Sequence, residues 1–508
     1  MTVWERFAVL SKAPPHVLFE NWGRDLDGAS IATAVLELDG RPVAVYGHDF
    51  TVRAGSMDAT NGRKLARLLT LAGERGLPVI GLNDSAGAFV PAGVGGLDGY
   101  AMAFSALRQV SGVVPSIMCM FGFNAGGGSY LPRQGSFVIQ PKATFLGLTG
   151  TEVVRSVLGE QVTPDELGGP QVHLQTGVAD YTAENETEAL YTARRLLSWL
   201  PDHNSVTAPY RATQDPPTRA CQDFARVLQR AIDSATGYNS PMDITHLVAD
   251  VVDDGIFYRF QPDRAQNTLC AFGRLDGHVV GFVANNSAVK SGQIDIEAAY
   301  KNARFIRFCN LYNIPLIFIE DTTGFLPGQD QEGRGIVQAG RAMLDAIIDV
   351  RTPRILIVVR NAYGGAYASY NNYQTGADWV IGLPTARIAV MGPVGRRFVY
   401  KKELAQYVQE AEIREQTIIR ELLAQGHTSG EAEALAKARA KTWLQDRDNE
   451  LAARYERELM NPKEGLALGS LSEIVMPEVL RTKLIYQMGL LLRHYKPSPF
   501  RGVQREFY

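Results

Sequence analysis

Two glycine-rich turns carry the clearest chemical signal in the chain: Gly122-Phe123-Asn124-Ala125-Gly126-Gly127-Gly128 and Ala362-Tyr363-Gly364-Gly365-Ala366-Tyr367. Each follows a short apolar run and is placed to open a helix. Backbone N–H groups without intrahelical acceptors would then face a cavity, with the helix dipole behind them. Such donors stabilise charge that develops on a carbonyl oxygen, and glycine lets a substrate approach the backbone closely. One Gly-Gly turn alone is equally explained by a helix start packed tightly on a sheet. Two at equivalent places of a duplicated chain would make two oxyanion holes related by a pseudo-two-fold axis.

The duplication is visible when the sequence is slid along itself by 237 residues. Leu38-Asp39-Gly40 then falls on Leu275-Asp276-Gly277, and Lys64, Ala66 and Arg67 fall on Lys301, Ala303 and Arg304. Pro78, Asp84 and Gly87 fall on Pro315, Asp321 and Gly324. Roughly fourteen of about fifty ungapped positions are identical, where about three would match by chance. A slip of one residue then aligns Gly126-Gly127 with Gly364-Gly365.

Each half has the same order of elements. A β-rich stretch (Val43 to Tyr46; Val279 to Val283) leads to a helical stripe such as Leu65, Leu68, Leu69 and Ala72. A continuous apolar run follows, Val79 to Leu82 or Leu316 to Ile319, short enough for a strand buried on both faces. A second such run, Ser116 to Phe121 or Ile355 to Val359, leads into the glycine turn. Strands alternating with helices predict an α/β protein of two homologous halves. The Pro-rich stretch 201–218 places the boundary near 215, giving domains 1–215 and 216–508. Residues 401–460 read as a charged helical hairpin inserted in the second half, with Gly426 as a stop and Thr428 to Glu431 as a capping box.

Composition excludes several classes. The 508 residues carry 51 Lys plus Arg against 54 Asp plus Glu, a net charge of -3, which gives no general attraction for nucleic acid. No apolar run approaches the roughly 18 residues of a membrane span, and Glu5, Arg6 and Lys12 interrupt any signal-like stretch, so cytoplasm is the expected location. Cys119, Cys221, Cys270 and Cys309 are scattered and read as reduced core residues. The histidines lack metal-ligand spacing, so no metal is expected. Ser85 lacks the preceding glycine of a nucleophile elbow, and no P-loop occurs. Gly93, Gly95 and Gly99 do not keep dinucleotide-loop spacing. Asp84 and Asp321, after buried strands, read as turn-capping residues.

The chain resembles the carboxyltransferase (β) subunits of biotin-dependent acyl-CoA carboxylases, of the propionyl-CoA and methylcrotonyl-CoA type. The similar stretches include Asp49-Phe50-Thr51-Val52, Pro78 to Ser85, Gly324-Phe325-Leu326-Pro327-Gly328, Ala362 to Tyr367 and Ala389 to Gly392, and matches run in order from about 35 to 485. The resemblance implies two tandem crotonase-like ββα-superhelix domains and an active site between the N-domain of one protomer and the C-domain of another. It implies a homo-hexamer built as a dimer of trimers. Gly126 and Gly127 would hold the thioester carbonyl as it becomes an enolate; Gly365 and Ala366 would hold the biotin ureido oxygen. Ser85, Ala86, Gly87, Phe89, Asn124, Ala125, Tyr367 and Ala368 would bind substrate, with Ala368, after the second hole, at the position that helps set acyl specificity in relatives.

Carboxybiotin supplies the carboxyl group and, once decarboxylated, the base, which leaves the protein positioning and oxyanion stabilisation. The chain carries no Met-Lys-Met biotinylation site and no ATP-grasp loop, so biotin carboxylase and a biotin carboxyl carrier protein are expected partners. Two further readings remain: a carboxyacyl-CoA decarboxylase subunit, and a biotin-independent crotonase-type isomerase or hydrolase. The family's Gly-Gly-Ala-Arg-Ile-Gln-Glu-Gly loop is here Ala86-Gly87-Ala88-Phe89-Val90-Pro91-Ala92-Gly93, and Ala368 stands where Asp is common in propionyl-type enzymes. Asn124 stands where Cys or Ser is common. These departures predict an acyl group other than plain propionyl.

Overall fold

Asp39-Gly40 and Asp276-Gly277 each place two consecutive residues at positive φ (53° and 79°; 49° and 82°), the geometry that joins antiparallel strands through a two-residue loop. In the computed structural model, which describes residues 1–497, these turns start two copies of one architecture.

The first half opens with α1 (Val3–Leu10), β1 (His16–Leu18), β2 (Ile31–Leu38) and β3 (Arg41–His48). It continues through α2 (Ala59–Arg75), β4 (Val79–Asn83), α3 (Val94–Val110), β5 (Ser116–Met120) and β6 (Phe123–Ala125). Then come α4 (Gly127–Arg133), β7 (Phe137–Pro141), β8 (Phe145–Gly147) and α5 (Thr151–Leu158). The half closes with α6 (Pro164–Gly168), α7 (Pro170–Thr176), β9 (Tyr181–Ala183) and α8 (Glu186–Leu197). Strands β1 to β5, β7 and β9 form one sheet, antiparallel at the β1–β2–β3 end and parallel beyond it.

The second half begins with α9 (Gln222–Asp233), α10 (Thr245–Val251), β10 (Phe257–Phe260), β11 (Thr268–Leu275) and β12 (His278–Asn285). Next are α11 (Ile296–Leu311), β13 (Leu316–Thr322), α12 (Gln329–Arg334), α13 (Ile336–Ile348), β14 (Arg354–Tyr363) and α14 (Gly364–Ser369). Strands β15 (Trp379–Gly382) and β16 (Arg387–Ala389) lead to the hairpin α15 (Lys401–Ala424) and α16 (Ser429–Leu459). β17 (Glu473–Ile474) and α17 (Leu480–Leu492) end the described chain. The second sheet repeats the first, with β10–β11–β12 antiparallel and the remainder parallel.

The repeat extends to backbone detail. β2 and β3 reappear as β11 and β12 at the same 237-residue offset, with Leu38 opposite Arg41 and Leu275 opposite His278. Asp58 and Asp295 cap α2 and α11 through the N–H groups of Asn61 and Ala298. Lys64 donates to the carbonyls of Gly28 and Ile31 at 2.7 and 2.6 Å; Lys301 donates to Arg264 and Thr268 at 2.8 and 3.1 Å. Each lysine thereby ties its helix to the start of the antiparallel ribbon. Burial pulls the Lys301 pKa down to about 8.

The glycines near residue 95 are packing residues of α3. A Cβ on Gly99 would stand 2.3 Å from the Asp58 carbonyl oxygen, and one on Gly62 would stand 2.2 Å from that of Gly99, so α2 and α3 cross backbone to backbone. All four cysteines are free and buried.

The two halves share a core. Phe137 on β7 meets Phe260, Phe272 and Phe308 of the second half, with the Phe308 ring centroid 4.7 Å away. Beside this cluster Arg304 on α11 forms a bidentate pair with buried Asp180, at 2.6 and 2.9 Å, and donates to the Ser136 carbonyl at 2.7 Å.

Candidate functional site

The first glycine turn forms by a less direct route than the second. After β5 the chain turns at Phe121-Gly122 and makes the short strand β6, paired with β8, before α4 begins; β14 instead runs straight into α14. Both turns pass through a left-handed glycine, Gly126 at φ 57° and Gly364 at φ 59°. That shared geometry fixes the pairing of Gly126-Gly127 with Gly364-Gly365, and a side chain at either position would be strained.

Helix starts then present the donors. The Gly126 N–H is bonded to the carbonyl oxygens of Gly147 and Leu148, both at 3.2 Å, so it faces the β8 end and not a cavity. The first-turn N–H groups of Gly127 and Gly128 have no acceptor within α4. In the second turn Gly364, Gly365 and Ala366 occupy the first turn of α14. A Cβ on Gly365 would meet nothing within 4 Å, which leaves room beside this backbone for a ligand oxygen such as that of a ureido group.

A second wall comes from the loop after β4. Met57 and Ala88 form an isolated parallel bridge, with the Met57 N–H bonded to the Gly87 carbonyl and the Phe89 N–H to the Met57 carbonyl. The Ala88 N–H is outside this pairing and points away from Met57. Ile294 and Phe325 repeat the bridge at the same offset, leaving the Phe325 N–H in the same position. The loop lies against α4: a Cβ on Gly128 would stand 3.3 Å from the Ser85 carbonyl oxygen. Ala88 and Phe325 were not legible as site residues, because a single parallel bridge between two loops has no periodicity to read.

The structure brings Ser85, Ala86, Gly87, Asn124, Ala125, Gly126 and Gly127 together, but two of the side chains face inward. Ser85 Oγ lies 3.1 Å from the Tyr100 hydroxyl and accepts from the Gly87 N–H. Asn124 accepts from the Ser85 N–H at 3.3 Å and donates to the Phe121 carbonyl at 2.7 Å. Both are fully buried and brace the loop against the turn. Ala86 is exposed. Phe89 is half-buried beneath the Arg53 guanidinium, 4.3 Å from its centroid. Across the duplication, Ala368 is exposed and Tyr367 half-buried; Asn372 donates to both of their carbonyls at 3.1 and 2.9 Å and ends the α14 turn.

Asp84 and Asp321, expected to cap the turns that follow them, accept instead from groups distant in the chain. Asp84 accepts from Arg6 at 2.8 Å, and Arg6 also bonds Glu186 and lies over the Phe121 ring. Asp321 accepts from Arg360 at 2.7 Å and from Ser287 at 2.8 Å. Burial opposes the Arg6 charge, but the carboxylates of Glu186 and Asp84 outweigh it and hold its pKa above the usual guanidinium value. These pairs anchor the strand ends behind each glycine turn. His48 is buried neutral beside the first of them, its pKa lowered to about 4 by desolvation.

Glu320 on β13 is fully buried, and no protein group among the described residues lies within hydrogen-bond reach of either carboxyl oxygen. Burial raises its pKa well above the ordinary value, so it is held as the neutral acid. With the folded-state pKa above the unfolded one, its contribution to stability is complete below the unfolded carboxyl pKa and is lost as pH rises towards the folded value. Glu320→Gln, which keeps the shape without the titration, is expected to match wild type at pH 4.5. At pH 8 it should be more stable than wild type, because only the wild-type side chain must ionise on unfolding. Urea unfolding at both pH values checks this, and equal pH slopes in the two proteins would contradict it.

The hairpin α15–α16 is tied to the second site at its base. Arg396 pairs with Asp448 at 2.6 Å, and the Tyr455 hydroxyl donates to the Met391 carbonyl at 3.0 Å, just after β16, which pairs with Tyr363 of β14. No group of His, Cys, Asp and Glu among the described residues could hold a metal ion, and no described helix is long and apolar enough to cross a membrane.

The duplicated mixed sheets, each delivering a glycine-opened helix, define a crotonase-like α/β fold. Residues 16–503 match the carboxyl transferase domain, and the chain belongs to that family as an acyl-CoA carboxyltransferase that transfers a carboxyl group between biotin and acyl-CoA. It is 37% identical over 477 residues to the carboxyltransferase subunit of a propionyl-CoA carboxylase from Haloferax mediterranei, covering 93% of this chain and 85% of that one. It is 39% identical over 396 residues to the α subunit of a methylmalonyl-CoA decarboxylase from Veillonella parvula, covering 76% and 77%. The hexameric transcarboxylase 12S, solved with methylmalonyl-CoA bound, superimposes with a TM-score of 0.85 at 30% identity over 99% of this chain and 92% of that one.

Proposed function

We propose that the chain is the carboxyltransferase component of an acyl-CoA carboxylase. Residues 1–215 form an acyl-CoA domain and 216–508 a biotin domain that includes the insertion 401–460. The observation that carries this reading is the pair of glycine-opened helices at equivalent points of the duplication. Gly127 and Gly128, with Ala88 opposite, hold the thioester oxygen as the α-carbon loses its proton; Gly126 sets the turn that aims them. Gly365 and Ala366, with Phe325 opposite, receive the ureido oxygen of biotin. Biotin supplies the carboxyl group and the proton acceptor when bound. Ser85 and Asn124 position the first hole, Tyr367 and Ala368 border the second, and Ala86, Gly87, Phe89 and Ala125 line the approach for the acyl chain.

Because the two holes belong to different domains, the reading includes an oligomer in which the N-domain of one protomer meets the C-domain of another. Val90, Val94 and Val157 near the first site and Val390 and Phe398 near the second are exposed by more than 55%, which supports burial against another copy. The hexamer of transcarboxylase 12S supports a six-chain assembly. Biotin carboxylase and a biotin carboxyl carrier protein complete the system in the cytoplasm.

The test mixes the protein with biotin carboxylase, biotinylated carrier, ATP and labelled bicarbonate across a panel of acyl-CoAs. Label is expected in a carboxyacyl-CoA, with an acyl group other than propionyl preferred, and strong preference for propionyl-CoA would end the specificity claim. The Veillonella relative favours a second reading, decarboxylation. ATP-independent loss of carboxyl from methylmalonyl-CoA in the presence of free biotin, with no labelling in the first assay, would favour it instead.

A further inference from the structure

Away from both glycine turns, a cleft of about 690 Å³ lies between the two halves and is lined by Arg133, Arg264, Arg304, Arg307 and Arg341. Among the described residues, the acidic ones on its wall are Asp345 and Asp349. The arginines come from separate elements: the last turn of α4, the segment after β10, α11 (twice) and α13. Four neighbouring segments therefore converge guanidinium groups on one space, although the whole chain carries a net charge of -3.

The wall carries five arginines against two aspartates, and Asp180 behind Arg304 adds a third carboxylate, so positive charge is in excess around the cleft. Arg304 is matched by Asp180 and Arg341 by Asp345, its neighbour one helical turn on, at 3.2 Å. Arg264 makes its hydrogen bonds to neutral oxygens, the Gln175 carbonyl and the Gln261 side chain, both at 3.3 Å. Burial first, and then the charge of Arg304, pull the Arg264 pKa below the ordinary guanidinium value. Like charges held at this proximity are stabilised by an anion between them. Planar guanidinium forks match phosphate oxygens two at a time. The volume is that of a small-molecule site and exceeds what a single monovalent ion needs.

We propose that this cleft binds a small anion carrying a di- or triphosphate group, held across the two halves and separate from the acyl-CoA site. Along α4, Gly127 in the first turn and Arg133 in the last are about 9 Å apart at the helical rise per residue. Because the ligand would contact both halves, its binding favours the folded arrangement.

Inorganic pyrophosphate is the probe, used with the full chain at constant ionic strength. Calorimetry is expected to give one site per chain with Kd below about 1 mM, and a rise in Tm that sodium chloride at matched ionic strength does not give. Arg264→Gln and Arg341→Gln should each weaken pyrophosphate at least about tenfold. Arg341 is two-thirds exposed, so its replacement reports binding even if the Arg264 variant folds poorly. Saturating CoA should leave pyrophosphate binding unchanged. Absence of a pyrophosphate effect beyond the salt control, equal affinity in the Arg341 variant, or displacement by CoA would each overturn the proposal. So would a finding that the substitutions alter only the size of the assembly.

Discussion

Gly127→Ala is expected to lower kcat for carboxyl transfer roughly 10²- to 10³-fold while leaving CoA affinity within a few-fold of wild type. The new Cβ would stand 2.6 Å from the Tyr100 ring, far inside contact distance. Tyr100 cannot easily yield: it is buried, and its hydroxyl meets Ser85, which in turn holds the Gly87 N–H. The start of α4 must move instead, taking the Gly127 and Gly128 donors away from the thioester oxygen. An oxyanion donor acts on charge that exists only in the transition state, so the loss belongs in kcat and not in KM. Gly365→Ala acts differently, because its Cβ meets no protein atom within 4 Å: the fold need not adjust, and any loss of kcat comes from filling the space left for the ureido oxygen. Steady-state kinetics of both variants with thermal unfolding as a control check the claim. A Gly127→Ala enzyme with wild-type kcat would remove α4 from the mechanism.

Asp180→Ala is expected to destabilise the protein by about 3–5 kcal/mol, the usual cost of leaving one partner of a buried pair charged and alone. Asp180 accepts from Arg304, from the Val138 N–H at 2.9 Å and from Gln261 at 2.7 Å. Its removal strands three donors that come from both halves. The loss should appear as a lower urea midpoint and as faster proteolysis in the 201–218 stretch that joins the halves. Asp180→Asn keeps the shape and part of the bonding and should cost less. A change below about 1 kcal/mol in the alanine variant would mean that the shared aromatic core alone holds the halves together.

Much of the fold was legible because its determinants are local. The uniformly apolar parallel strands and the apolar stripe of α2 are each set within a few residues, and the 237-residue offset carried the pattern from one half to the other. The glycine turns were legible for the same reason. What could not be read was which N–H groups are free. Gly126 is a donor in the turn by sequence, yet β8, some twenty residues on, takes its hydrogen. Ser85 and Asn124 are expected from sequence as substrate contacts; in the structure the Ser85 hydroxyl meets Tyr100 and accepts from the Gly87 N–H, while Asn124 accepts from the Ser85 N–H and donates to the Phe121 carbonyl.

The sharpest contrast lies between residues that the duplication made identical. Arg67 and Arg304 occupy the same helical position, but Arg67 is solvent-exposed while Arg304 is buried on Asp180 between the halves. Asp84 and Asp321 end the same strand, but one takes its cation from α1 at the N-terminus and the other from Arg360 on the adjacent strand. Sequence by itself determined the repeated unit, its turns, its caps and the two glycine-opened helices, because these depend on short-range sterics and backbone hydrogen bonding. Only the tertiary structure decided which copies of a residue are buried, which charges meet and which arginines converge in one cleft. Those outcomes depend on segments far apart in the chain, and desolvation and Coulomb energies act through space, whatever the separation in sequence.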